Sequence, residues 1–203
     1  MNHSQTETRV VAVFGGTFDP PTLAHEAIIG ACLKEEGIDE VWVMPSGQRL
    51  DKPHMLDNQN RLEMLEVMKA VTFRGLGKLV ISDFEMYLPQ PSHTYSTVQA
   101  LRQTYPGHRF HFVFGADSYA TMGSWQHGQE LLDNLSILVV PRSGTDMPLI
   151  RPNVGRLTVP GVVALAMSST KVRDAYFRGE SVDEFVSPAV AKYLESNHCY
   201  QAV

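Results

Sequence analysis

The sequence has few cysteines, no long apolar run and no excess of basic residues, and each absence excludes a class of protein. Cys32 and Cys199 are the only two cysteines. Their spacing fits neither a metal site nor a redox motif, so we expect a reducing, cytoplasmic environment. No apolar run approaches membrane-spanning length. The formal net charge of -5 argues against a non-specific nucleic-acid binder, which is usually basic. We therefore expect neither a nucleic-acid partner nor a membrane partner.

The N-terminal segment is polar and lacks the apolar core of a signal peptide. We predict that residues 1–8 form a disordered tail and that residues 9–203 form one domain, since the sequence has neither internal repeats nor a low-complexity linker. A chain of 203 residues is long enough to enclose a substantial core.

Short apolar runs alternate with segments of helical periodicity along the chain. The predicted strands cover residues 9–14, 39–44, 78–82, 109–114, 135–140 and 162–167. Three predicted helices follow apolar stripes, at Ala24–Cys32 (ending at Gly37), at Leu62, Leu65 and Met68, and at Tyr95–Tyr105. Two more cover residues 168–180, ending at Gly179, and residues 187–196, capped by Ser187. This alternation predicts an α/β fold, a Rossmann-like doubly wound and mostly parallel sheet in a single domain. Ligands of such sheets bind at the carboxyl ends of the strands.

The loop after the first predicted strand, within VFGGTFDPPTLAH at residues 13–25, has the composition of a phosphate-binding loop. Gly15 and Gly16 present no side chain to block a ligand. Thr22 and His25 lie three residues apart at the start of a helix, so they share a face. Because unpaired N–H groups and the positive end of the helix dipole lie there, a hydroxyl and an imidazole at this point can bind a phosphate.

The segment GGTFDPPTLAH resembles the signature of the nucleotidyltransferase superfamily. That signature reads glycine, any residue, phenylalanine, aspartate or asparagine, proline, then histidine or threonine, any residue, glycine and histidine. Here the threonine is Thr22 and the last histidine is His25, whereas Ala24 replaces the usual glycine. The resemblance implies that residues 9–203 form a nucleotidyltransferase domain, with ATP bound by Gly15, Gly16, Thr17 and Phe18.

A second segment, MSSTKVR at residues 167–173, resembles the superfamily's element of serine, any residue, threonine, two residues and arginine. Ser168, Thr170 and Arg173 occupy its three defined positions. A hydroxyl-rich helix N-terminus suits an anion, and an arginine one turn further can add a bidentate contact. The resemblance implies that these residues bind the β- and γ-phosphates of ATP and the departing pyrophosphate.

The central segment FVFGADSYATMGSW at residues 112–125 resembles the nicotinate-nucleotide adenylyltransferases, and similarity to that branch runs over nearly the whole chain. The resemblance implies that Gly115 and Asp117 bind the adenosine end of ATP. It also implies that Trp125 lies against the pyridine ring, where an indole face attracts a cationic pyridinium. Within PSHTYSTVQALR, Thr94 is expected near the pyridine substituent, and Arg142 of VVPRSG near the nucleotide.

One loop departs from this branch. The branch usually has Pro-Pro-His followed by lysine or arginine after the second strand, whereas this chain has PSGQRLDKP at residues 45–53. Lys52 can fill the basic position and gather the acceptor phosphate. The acceptor is therefore nicotinate mononucleotide or, alternatively, nicotinamide mononucleotide or another phosphate-bearing compound.

The expected reaction transfers an adenylyl group from ATP to the phosphate of a pyridine mononucleotide, giving deamido-NAD and pyrophosphate in NAD biosynthesis. We expect His25, assisted by Thr22, to stabilise charge at the α-phosphate, and Arg173 to act on the leaving pyrophosphate. Mg²⁺ is the expected cofactor, held by ATP and water rather than by protein ligands.

Other interpretations stay open from the sequence. Pantetheine-phosphate adenylyltransferases, cytidylyltransferases and class I aminoacyl-tRNA synthetases share related motifs, although the Gly-Ala-Asp…Trp segment and the chain length argue against them. A non-catalytic nucleotide sensor on the same fold is an alternative of another class. The sequence also leaves open a homo-oligomer.

Overall fold

The computed structural model describes residues 8–47, 55–141, 151–160 and 167–200. Within these residues, six strands form one sheet in the order β3-β2-β1-β4-β5-β6, and every adjacent pair is parallel. The strands are β1 (Val10–Gly16), β2 (Glu40–Pro45), β3 (Leu79–Ile81), β4 (Arg109–Gly115), β5 (Ser136–Val140) and β6 (Val154–Arg156). The predicted Rossmann-like fold is thus confirmed, and the strand order reverses between β1 and β4.

Five of the six predicted strands are confirmed as β1 to β5. Residues 162–166 of the predicted strand 162–167 lie outside the described part of the chain. Most of the predicted tail 1–8 lies outside it as well. The sequence prediction missed β6, because Val154–Arg156 has only three residues with an exposed glycine and arginine. Pairing with Ile137–Val139 of β5, rather than any apolar pattern, makes this segment a strand.

Helices cover both faces of the sheet. They are α1 (Leu23–Cys32), α2 (Asn58–Thr72), α3 (Thr94–Thr104), α4 (Ala116–Thr121), α5 (Gly128–Asn134), α6 (Ser169–Phe177) and α7 (Pro188–Ser196), with 3₁₀ turns at Phe84–Tyr87 and Met122–Ser124. Helices α1, α2, α6 and α7 pack with Ala12 and Phe14 of β1, whereas α3, α4 and α5 pack with Val11 and Val13. Because both faces are buried, β1, β2 and β5 contain continuous apolar runs without alternation. Within the described parts, no helix is both long and apolar enough to cross a bilayer.

The sequence analysis predicts neither α4 nor α5, and three details of the predicted helices also differ from the structure. Helix α1 ends at Cys32 rather than at Gly37, because Lys34 and Glu35 donate backbone bonds three residues back, to Ala31 and Cys32. Ser187 precedes α7 as predicted, but its hydroxyl makes no capping bond.

The third difference concerns the buried stripe of α2. The predicted stripe was Leu62, Leu65 and Met68, whereas the structure buries Arg61, Met64, Leu65 and Met68. Leu62 is only partly buried. A charged residue therefore occupies a position of the core-facing stripe.

The C-terminal end of the described chain is tied to the loop between β1 and α1. Tyr200 donates a hydrogen bond of 2.7 Å from its hydroxyl to Oδ1 of Asp19, and both side chains are buried. Burial and the negative charge of Asp19 raise the pKa of the Tyr200 hydroxyl, so the hydroxyl keeps its proton and acts as the donor. Asp19 also accepts a bond from the backbone N–H of Leu56.

Tyr200→Phe removes this donor and leaves a buried carboxylate oxygen with one bond fewer. We expect the free energy of unfolding to fall by about 1–3 kcal/mol. Urea unfolding measures the change. Tyr87→Phe is the matched control, because Tyr87 is 79% exposed and should change stability by less than about 0.5 kcal/mol. Equal stability of Tyr200→Phe and wild type would contradict the assigned bond.

Candidate active site

A cleft of about 190 Å³ opens at the carboxyl ends of β1, β4 and β5, where the strand order reverses. Its lining includes Gly15 from β1, His25 from α1, Gly115 and Asp117 from the start of α4, and Met167. This is the position at which open parallel sheets bind ligands. The sequence motifs around residues 15, 25 and 115 thus converge on one cleft.

His25 is fixed in one tautomer by the start of its own helix. The backbone N–H of Thr22 donates to Nδ1 of His25 at 2.9 Å, and the Thr22 hydroxyl lies 2.9 Å from the same nitrogen. Because Nδ1 accepts the backbone N–H, the proton of the neutral ring resides on Nε2. Thr22 itself is fully buried. Thr22 and His25 lie on one face as predicted, and the bond from Thr22 makes His25 a hydrogen-bond donor through Nε2.

The ring of Phe18 packs against the ring of His25, and it also leaves little space for a side chain at position 16. The two ring centroids lie 5.0 Å apart in an edge-on arrangement, and Phe18 is 1% exposed. A Cβ atom on Gly16 would lie 3.1 Å from Cζ of Phe18, so any other residue there would displace the phenyl ring. Phe18 has a φ of 50°, a value that a non-glycine residue adopts only when its surroundings hold it.

Side chains from two helices hold the loop between β1 and α1 by donating hydrogen bonds to its carbonyl oxygens. Arg61 of α2 donates to the carbonyl oxygen of Thr17 at 2.9 Å. From α6, Arg173 donates to the carbonyl oxygen of Asp19 at 2.6 Å, and Ser169 donates to that of Pro20 at 2.9 Å. Two helices that are distant in sequence therefore fix the loop.

The predicted phosphate-binding residues of α6 adjoin the loop rather than the cleft. Ser168 caps the helix by accepting a bond from the backbone of Lys171, and Thr170 accepts one from Arg173 at 3.3 Å. Besides the Asp19 carbonyl, Arg173 approaches the Asp19 carboxylate at 3.6 Å. Of this motif, Met167 alone is among the described residues that line the cleft. The phosphate roles of Ser168, Thr170 and Arg173 stay predictions.

A second, smaller cavity of about 50 Å³ lies beside the first. Gly15, Val113 and Phe114 line both cavities, and Thr94 lines the smaller one. Trp125 packs edge-on against Phe114 with 5.8 Å between ring centroids. Thr94 therefore lies on the smaller cavity, whereas Trp125 contacts Phe114 of the common wall and is not among the residues that line either cavity.

Lys52 and Arg142, predicted to contact the substrates, lie outside the described residues. Sequence reasoning missed Arg61 and Tyr200 as supports of the loop. The one available signal was the arginine at a core-facing position of α2, three residues before Met64. Across the parts of the chain that the structure describes, no group of three or more histidine, cysteine, aspartate or glutamate side chains could hold a metal ion.

Comparison with known proteins agrees with this arrangement. Residues 13–175 match the family described as Cytidylyltransferase-like. The nicotinate-nucleotide adenylyltransferase of Bacillus subtilis (strain 168) is 32% identical over 198 residues, which are 95% of this chain and 98% of the relative.

Two solved structures have the same fold. Both are of the nicotinic acid mononucleotide adenylyltransferase of Plasmodium falciparum, and each covers 95% of this chain and 97% of its own. The complex with NaAD has a TM-score of 0.84 at 20% identity, and the complex with APC has a TM-score of 0.80 at 18% identity. The resemblance predicted from the sequence motifs is confirmed: the chain belongs to the Cytidylyltransferase-like family and, within it, to the nicotinate-nucleotide adenylyltransferase family.

Proposed function

We propose that the chain transfers the adenylyl group of ATP to nicotinate mononucleotide, giving deamido-NAD and pyrophosphate in NAD biosynthesis. The main support for the proposal is the cleft at the strand reversal, where His25, Gly115 and Asp117 meet beside a smaller cavity lined by Thr94. A reaction of two nucleotides needs two adjoining sites, with the reacting phosphates between them. The B. subtilis relative bears the name of this activity.

The chemistry requires positioning more than acid–base catalysis. A phosphate monoester has its second pKa at about 6 and is mostly dianionic at neutral pH. One of its oxygens attacks the α-phosphorus of ATP, a new P–O bond forms, and the bond to the β-phosphate oxygen breaks as pyrophosphate leaves. No general base is needed. The protein orients the phosphates and stabilises the charge that develops on them.

His25 has the tautomer for this task. Because Thr22 occupies Nδ1, the N–H of Nε2 is the group that donates to the α-phosphate in the larger cleft. Helix α1 adds the positive end of its dipole at the same point. Thr22 acts by orienting the ring rather than by contacting the phosphate, since it is fully buried.

The other predicted residues divide between the two substrates. In the larger cleft, Gly15 and Gly115 allow close approach of the nucleotide, and Asp117 accepts hydrogen bonds from its ribose. Gly16, Thr17 and Phe18 shape the loop beside it, and Ser168, Thr170 and Arg173 receive the β- and γ-phosphates. Thr94 and Trp125 contact the pyridine, and Lys52 and Arg142 contact the phosphate and nucleotide.

We expect Mg²⁺ to arrive with ATP. Triphosphate oxygens and water would be its main ligands, because Mg²⁺ keeps several waters and is bound through substrate phosphates. When bound, the ion neutralises phosphate charge. We also propose a cytoplasmic location, in keeping with the two free, buried cysteines Cys32 and Cys199.

The direct test is pyrophosphate release with ATP and Mg²⁺, with nicotinate mononucleotide and nicotinamide mononucleotide offered in parallel. We expect faster release with the nicotinate form. Faster release with the nicotinamide form would keep the chemistry and change the acceptor. Absence of release with both acceptors would refute the proposed function, and ATP binding that persists in that protein would favour a nucleotide sensor.

His25→Ala removes the proposed donor to the α-phosphate. We expect kcat to fall by about 10²–10³-fold, the usual loss when one such donor is removed, with the circular dichroism spectrum unchanged. His198→Asn changes an exposed histidine that is not among the residues lining the cleft and should leave kcat at the wild-type value. Turnover of His25→Ala close to wild type would show that the phosphate is stabilised elsewhere.

Trp125→Ala removes the proposed indole contact to the pyridinium. We expect the KM for the mononucleotide to rise by about tenfold, as the loss of a cation–π contact predicts, while the KM for ATP changes little. Trp125→Phe keeps an aromatic face and should recover part of the loss. If Trp125→Ala raised both KM values equally, Trp125 would instead act through the packing of Phe114.

A further inference from the structure

Arg61 is the largest side chain that is fully buried among the described residues. Burial lowers the pKa of its guanidinium, and the negative charge of Asp19 acts in the opposite direction. Burying a guanidinium costs free energy, and an apolar residue of similar volume often stabilises a protein as well or better. A function in directing nearby polar groups would explain why the helix carries an arginine there.

The contacts of Arg61 are directed at the loop between β1 and α1. One terminal nitrogen donates to the Thr17 carbonyl at 2.9 Å, and the other donates to Oδ1 of Asn58 at 2.6 Å. The Asn58 contact lies within α2 and orients the guanidinium plane. The Nε atom of Arg61 has no hydrogen-bond partner in the ranges that the structure describes. The arginine therefore acts mainly on one carbonyl oxygen, 44 residues away in sequence.

The Thr17 carbonyl belongs to the same peptide unit as the N–H of Phe18. In a trans peptide these two groups point in opposite directions. The bond from Arg61 therefore also sets the direction of the Phe18 N–H and the orientation of the peptide that precedes Phe18. Phe18 is held at a φ of 50°, and its ring lies 5.0 Å from the ring of His25. A continuous path of contacts thus leads from Arg61 through Phe18 to His25.

We propose that Arg61 is a positioning residue of the site, which fixes the Thr17–Phe18 peptide and, through the ring of Phe18, the imidazole of His25. The inference rests on the proposed function, because it assigns Arg61 a part in the reaction at His25. It differs from a role in folding alone, since removal of Arg61 should impair the chemical step in protein that remains folded.

The test uses Arg61→Met, which keeps the volume and removes the donors, and Arg61→Lys, which keeps one cationic donor. Leu65→Ala is the matched control, because Leu65 is fully buried on the same helix and its truncation destabilises α2 while keeping the donors of Arg61. Thermal unfolding is measured first, and kcat and both KM values are then measured at a temperature where all variants are folded.

We expect Arg61→Met to lower kcat by about tenfold or more, as small misplacements of reacting groups do, with both KM values within about threefold of wild type. Arg61→Lys should lie between Arg61→Met and wild type, and Leu65→Ala should keep the wild-type kcat. Wild-type kcat in folded Arg61→Met would overturn the inference, as would an equal loss of kcat in Leu65→Ala.

A double-mutant cycle with His25→Ala shows whether Arg61 acts on kcat through His25 or through a general effect on the site. If Arg61 acts through the imidazole, Arg61→Met should lower kcat by less than about threefold when His25 is already alanine. A full tenfold further loss in that background would overturn the stated path. An inactive wild-type protein would instead refute the proposed function, so the two failures are distinguishable.

Discussion

The site depends on how the carbonyl oxygens between Thr17 and Pro20 are held. Arg61, Arg173 and Ser169 each donate to one of them, so the loop has its hydrogen bonds satisfied by α2 and α6. Such a loop can keep Phe18 at an unfavourable φ, because the surrounding bonds outweigh the local strain. The position of the His25 ring follows from this arrangement, since Phe18 packs against it.

The sheet supplies the second requirement, which is an opening at the carboxyl ends of its central strands. At the reversal of strand order between β1 and β4, helices leave the sheet on opposite faces, so a crevice forms without any special packing. Gly15 near the end of β1 lines both cavities. A glycine there adds no side chain between the two cavities.

Sequence reasoning identified the parts of the site that consist of local motifs. The glycine loop, the placement of Thr22 and His25 on one face, and the Gly115–Asp117 segment could be predicted because each is a short segment at a strand or helix end. The roles of Arg61 and Tyr200 could not, because each contacts the loop from a distant part of the chain, at separations of 44 and 181 residues. Arg173 was identified as a site residue, but its bond to the Asp19 carbonyl depends on how α6 packs beside the loop. Strand β6 was missed for a similar reason, since only its pairing with β5 defines it.

Adenylyl transfer places the α-phosphate of ATP in the dinucleotide product, whereas the outer two phosphates leave as pyrophosphate. Incubation with ATP labelled at the α-phosphorus, Mg²⁺ and nicotinate mononucleotide, followed by separation of the products, shows where this phosphate goes. We expect the label in a dinucleotide and none in the released pyrophosphate. Label that stays in ATP, or that appears only in AMP, would contradict adenylyl transfer to the mononucleotide.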